Sequence, residues 1–91
     1  MYALGLDIGT TSLSGALIDT ETGEQLASET VANDAAIPGK PWERMQDPER
    51  LLELGVGIIE KLSAKAGRLG CIGLTGQMHG VLYYDRDGKA I

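Results

Sequence analysis

One stretch constrains this chain more than any other: Leu4-Gly5-Leu6-Asp7-Ile8-Gly9-Thr10-Thr11-Ser12-Leu13-Ser14-Gly15-Ala16-Leu17-Ile18-Asp19. It reads as a strand, a tight glycine-hydroxyl turn, and a second strand returning beside the first. Tyr2 to Leu6 is apolar apart from Gly5, which predicts a first strand buried on both faces. Asp7 at its end carries a carboxylate that a core rejects unless it is paired or binds a cation. Gly9 lets the backbone turn where a side chain would clash, and Thr10, Thr11 and Ser12 supply hydroxyls and backbone N–H groups in succession. A concave run of such donors holds phosphate oxygens, with the nearby carboxylate serving a hydrated Mg²⁺. The same local pattern also fits an ordinary hairpin with a polar turn, and both readings are open at this point.

At 91 residues the chain is one small domain at most, or a piece of a larger one. Its net charge of -5, with 8 scattered basic residues, argues against a general nucleic-acid binder, which needs clustered Lys and Arg. Cys71 is the only cysteine, so no internal disulfide forms and a reducing compartment follows. It sits in the apolar run Leu69 to Leu74, where a buried, inert thiol is expected. No basic-then-apolar leader opens the chain, and no run approaches membrane-spanning length. A soluble, cytoplasmic protein without nucleic-acid or membrane partners is expected.

Asp19 to Gly23 is a polar turn, and Glu24 to Val31 alternates loosely as a third strand near the sheet edge. Asn33 to Asp47 has no period and carries Pro38, Gly39 and Pro41, which predicts a loop. Trp42 within it reads as a packing plug, with a ligand-cleft border as the alternative. Asp47-Pro48 opens a helix whose apolar face is Leu51, Gly55, Ile58, Ile59, Leu62 and Ala66, and Gly67 stops it. Leu69 to Leu74 is a fourth strand, and the helical crossover predicts parallel pairing with the first. That pairing brings Asp7 and Thr75-Gly76-Gln77-Met78-His79-Gly80 to one sheet edge. Gln77, Met78 and His79 offer an amide, a soft apolar chain and an imidazole, a mix suited to a polyhydroxylated ligand; a turn with a structural histidine is the alternative. Val81 to Tyr84 is predicted as a short strand, Asp85 to Gly88 as a hairpin turn, and Lys89 to Ile91 as the start of a returning strand.

Together these motifs resemble a known family. Leu4 to Ser12 looks like the first phosphate motif of the actin-like (ribonuclease-H-like) ATPase fold. Gly73-Leu74-Thr75-Gly76-Gln77-Met78-His79-Gly80 looks like the sugar-site segment of the FGGY carbohydrate kinases, in their xylulokinase and sedoheptulokinase branches. Trp42 followed by Gln46-Asp47-Pro48 is similar to those enzymes' pre-helix segment. The resemblance implies an α/β fold: an antiparallel three-strand meander, a crossover helix, a parallel fourth strand and the start of a further hairpin. It also implies ATP-dependent phosphorylation of a ketose. Carried over, Asp7 positions Mg²⁺ through water, Gly9, Thr10, Thr11 and Ser12 line the phosphates of ATP, and Gln77, Met78 and His79 border the sugar. The general-base aspartate is expected downstream, in the remainder of the kinase chain. Many relatives carry Lys or Arg where Ser14 stands here. Residues 1–91 are thus expected to be the N-terminal part of an FGGY first domain, without the second domain, inactive alone and prone to self-association. An actin- or chaperone-like ATPase module and a non-catalytic interaction module are the alternatives.

Overall fold

Leu4 and Leu6 lie on one side of the first strand and are 1% and 4% exposed, while Gly5 and Asp7 between and after them are exposed. This alternation sets the architecture of the computed structural model, which describes residues 1–77 and 80–90. The strand is β1 (Tyr2–Ile8), and it pairs antiparallel with β2 (Ser12–Asp19), which pairs antiparallel with β3 (Gln25–Ala32). Two short strands follow, β4 (Ala36–Ile37) and β5 (Met45–Gln46), paired only with each other. Helix α1 (Pro48–Ala66) then crosses the sheet and leads to β6 (Cys71–Gly76). The four-stranded sheet has the order β3-β2-β1-β6, with β6 parallel to β1 and Asp7 opposite Thr75.

The helix begins and ends for local reasons. Asp47 is the N-cap, its carboxylate accepting the Glu49 N–H at 3.0 Å, and Pro48 occupies the first turn. Gly67, at φ 77°, ends the helix and donates its N–H to the Ser63 carbonyl at 2.9 Å. One helix face reaches the sheet through Ile58 and Leu62, which join Leu4, Leu6, Leu13 and Leu17 in a single core. Gly15 on β2 permits that contact: a Cβ there would stand 2.5 Å from Ile58 Cγ2 and 2.9 Å from Leu62 Cδ1.

Several expectations need correction. β1 is buried on one face only, because α1 covers the Leu4/Leu6 side and the Ala3/Gly5/Asp7 side carries no layer among the described residues. Cys71 is exposed rather than buried: it pairs with Ala3 and so shares the Ala3/Gly5/Asp7 face, which carries no layer among the described residues. Trp42 does not plug the core; it is 76% exposed, with Lys40 Nζ 5.3 Å from its ring centroid. The loop Asn33 to Asp47 holds the β4–β5 pair. Val81 to Tyr84 forms no strand: the hairpin reduces to one bridge, Tyr84 to Ala90, around the turn closed by Asp85 and Gly88. Ile91 lies outside the described residues.

Candidate functional site: a sheet edge shared by the Gly9 turn and Gln77

Because β1 and β6 run parallel and adjacent, the segments that follow them leave the sheet at the same edge. The segment after β1 turns back at once. Gly9 donates its N–H to the Ser12 carbonyl at 3.0 Å, and a Cβ on Gly9 would stand 2.6 Å from that carbonyl oxygen. Only glycine fits the turn without moving backbone. Thr10 and Thr11 at its tip are exposed, and their N–H groups make no hydrogen bond among the described residues.

Asp7 stands in a polar row that crosses all four strands: Thr30, Ser14, Asp7 and Thr75 are successive cross-strand partners. The row lies on the face away from α1. The Ser14 and Thr30 hydroxyls meet at 3.1 Å, whereas the Asp7 carboxylate is exposed and has no ion-pair partner among the described residues. Among those residues no three potential metal ligands cluster, so Asp7 offers a single carboxylate.

Gln77 follows β6 and reaches back to the hairpin. Its Nε2 donates to Gln46 Oε1 at 3.1 Å and to the Gly9 carbonyl at 3.4 Å, while its Oε1 accepts from Gln46 Nε2 at 3.0 Å. Asn33 completes the group by donating from Nδ2 to the Gly9 carbonyl at 2.9 Å and to Gln46 Oε1 at 3.2 Å. Beside this network opens a cleft of about 1000 Å³, lined by Ile8, Arg44, Gln46, Asp47, Thr75 and Gln77 among others. Thr75 borders both the cleft and the polar row. Gly9 and Gln77 are thus brought together, with Asp7 two register positions away; Met78 and His79 lie outside the described residues.

The segment after β3 is fastened to the helix start residue by residue. Ala35, 2% exposed, accepts the Asp47 N–H at 2.7 Å. Asp34 receives two bonds from Arg50, Nε at 2.7 Å and the second terminal nitrogen at 2.9 Å. The Arg50 guanidinium, chiefly through these hydrogen bonds, holds the Asp34 carboxyl below its ordinary range, and Arg50 is in turn pushed up. Asn33 carried no signal in the sequence beyond opening a loop without period.

Residues 2–91 match the FGGY family of carbohydrate kinases, N-terminal domain. The chain belongs to this family. Its partial ribonuclease-H-like fold, a mixed four-stranded sheet with a crossover helix, is the one expected. The FGGY domain is 33% identical to a glycerol kinase of Caldanaerobacter subterraneus subsp. tengcongensis, over 99% of this chain and 19% of the relative. It is 30% identical to a xylulose kinase of Lactococcus lactis subsp. lactis, again over 99% of this chain and 18% of the relative. The crystal structure of a ligand-bound xylulose kinase from Lactobacillus acidophilus superposes with a TM-score of 0.88 at 28% identity, covering 99% of this chain and 18% of that one. The FGGY domain therefore spans about a fifth of the length of the curated relatives it matches.

Proposed function

We propose that the protein carrying this FGGY domain transfers the terminal phosphoryl group of ATP to a hydroxyl of a polyol or sugar, with a xylulose-type ketose as the leading acceptor. A sedoheptulose-type ketose remains within the class, and the glycerol kinase relative brings glycerol into the same panel. One observation carries the reading: the Gly9–Ser12 turn, whose tip N–H groups have no hydrogen-bond partner among the described residues, is joined to Gln77 at a single sheet edge beside a cleft.

Phosphoryl transfer asks mainly for positioning and charge neutralisation. In this proposal the N–H and hydroxyl groups of Gly9, Thr10, Thr11 and Ser12 line the phosphates. The exposed Asp7 carboxylate, without an ion-pair partner among the described residues, fits a Mg²⁺ that keeps most of its water shell, because such an ion takes one carboxylate rather than a protein cage. When bound, the ion neutralises charge on the phosphates. Gln77, and from the sequence Met78 and His79, border the acceptor. Asp7 is not assigned the general base, which the family resemblance puts in the remainder of the kinase chain. Residues 1–91 are assigned to the N-terminal part of the first kinase domain and are expected to show no turnover alone.

The test is a panel of xylulose, sedoheptulose and glycerol with ATP and the full-length protein, reading ADP release and phosphorylated product together. Acceptor-dependent ADP with matching product supports the reading. ADP release that is the same with and without every acceptor would sink it, and would favour an ATPase module instead.

A further inference from the structure

The hairpin leaves one strong acceptor unused by its own backbone. Gly9 closes the turn only through its N–H, so its carbonyl is open to side chains, and two amides take it: Asn33 Nδ2 at 2.9 Å and Gln77 Nε2 at 3.4 Å. Asn33 also grips the far side of the turn, its backbone N–H donating to the Thr11 carbonyl at 2.9 Å. Its amide cannot turn over freely, because Oδ1 accepts the Ala35 N–H at 3.0 Å while Nδ2 faces two acceptors. Gln46 forms a reciprocal amide pair with Gln77 and accepts from Asn33 as well. Both hydrogen-bonding ends of the Gln77 amide are therefore engaged by protein.

We infer that Asn33 and Gln46 are positioning residues, which together with the Gln77 amide form a bridge fixing the phosphate-binding turn against the acceptor edge. This rests on the kinase reading above, and deepens it: the bridge sets the distance between the donor phosphate and the acceptor hydroxyl. Mispositioning of reacting groups by small amounts costs rate disproportionately. Neither residue touches the reacting atoms. Their effect passes through the Gly9 and Thr11 carbonyls to the N–H groups at the tip of the turn.

The experiment uses the full-length protein and four variants: Asn33→Asp, Gln46→Ala, the double variant, and Arg50→Met as a neighbour outside the bridge. Asn33→Asp keeps the shape and the bond from Ala35 but turns the donor into an acceptor facing the Gly9 carbonyl and Gln46. Two quantities are read: affinity for the Mg²⁺ complex of the β,γ-imido analogue of ATP, by calorimetry, and kcat with KM for the better of xylulose and glycerol. Asn33→Asp is expected to weaken analogue binding at least five-fold and lower kcat at least ten-fold, with the acceptor KM within two-fold. Gln46→Ala shifts both in the same direction, and the double variant is no more than two-fold worse than the worse single. Arg50→Met leaves both within two-fold. A loss of folded protein lowers kcat without changing the affinity of the sites that remain, so the binding shift separates positioning from mere stability. Unchanged binding in both single variants, losses that multiply, or equal losses in Arg50→Met overturn the bridge. If Asn33→Asp does not fold, Gln46→Ala decides on the same binding measurement. If the unmodified protein phosphorylates none of xylulose, sedoheptulose and glycerol, the kinase reading is what fails, and the analogue affinity still judges the bridge.

Discussion

Gly15→Ala places a methyl group at the one point where α1 touches β2 without a side chain between them. The new Cβ would lie 2.5 Å from Ile58 Cγ2 and 2.9 Å from Leu62 Cδ1, well inside the roughly 3.5–4.0 Å of ordinary carbon contact. Both neighbours are 1% exposed, so neither swings into solvent to make room. Either the helix lifts by about 1 Å or one of the two side chains leaves its rotamer, and overpacking of this kind costs about 1–3 kcal/mol. Alanine's advantage over glycine within a strand returns about 0.5–1 kcal/mol, leaving a net loss of roughly 0–2.5 kcal/mol. Gly57 supplies the matched control: it is exposed on the same helix, and nothing lies within 4 Å of a Cβ built there. Gly57→Ala is therefore expected to stabilise by about 1 kcal/mol. Urea unfolding followed by far-ultraviolet dichroism, with midpoints compared at equal slopes, reads both changes on one scale. If Gly15→Ala proves as stable as Gly57→Ala, the close helix–sheet approach is not what selects glycine at this position.

Asp47→Ala removes the cap of α1 and is expected to cost about 1 kcal/mol, measured by thermal unfolding, with Asp47→Ser recovering most of it. The Asp34 carboxyl is held below its ordinary 3.8 by Arg50, so its contribution to stability is present above that value and is lost as pH falls through its depressed one. The substitution Asp34→Asn should flatten the fall in urea midpoint as pH drops below about 3.8. On the proposed reading, Asp7→Asn weakens binding of the imido analogue of ATP in the presence of Mg²⁺ while leaving Mg²⁺-free nucleotide binding within two-fold. Equal weakening with and without the ion would detach Asp7 from the metal.

Much of the architecture was legible because each element carries its own local signal. Asp47, Pro48 and Gly67 bound the helix where their chemistry predicts, and the crossover put β6 beside β1 in parallel. Two errors concern short elements, the absent strand at Val81 to Tyr84 and the β4–β5 pair within a predicted loop, and the rest concern faces. An apolar run such as Leu69 to Leu74 says that a strand forms, but not which neighbours lie above it. Cys71 and β1 look doubly covered in sequence, whereas α1 covers one face only and Cys71, in register with Ala3, lies on the other. The period-two pattern Leu-Gly-Leu-Asp already holds the one-sided answer, obscured when glycine and alanine are counted as core. Gly9, Thr10 and Thr11 were recognisable because a tight turn has few solutions. Asn33 and Gln46 were not, because an amide has no periodicity, and its role comes from carbonyls that only the folded chain brings within 3 Å.

The parallel pairing of β1 and β6 also imposes an order on synthesis. The 68 residues that separate Gly9 from Gln77 must leave the ribosome before the second border of β1 has a partner. At about 5–20 residues per second this is a wait of roughly 3–14 s. During it the β1–β2–β3 meander presents β1 as an open edge, able to pair with any extended segment nearby. The polar and glycine-rich side of β1 is a poor template for such pairing, which gives Gly5 and Asp7 a protective part to play while the chain is still nascent.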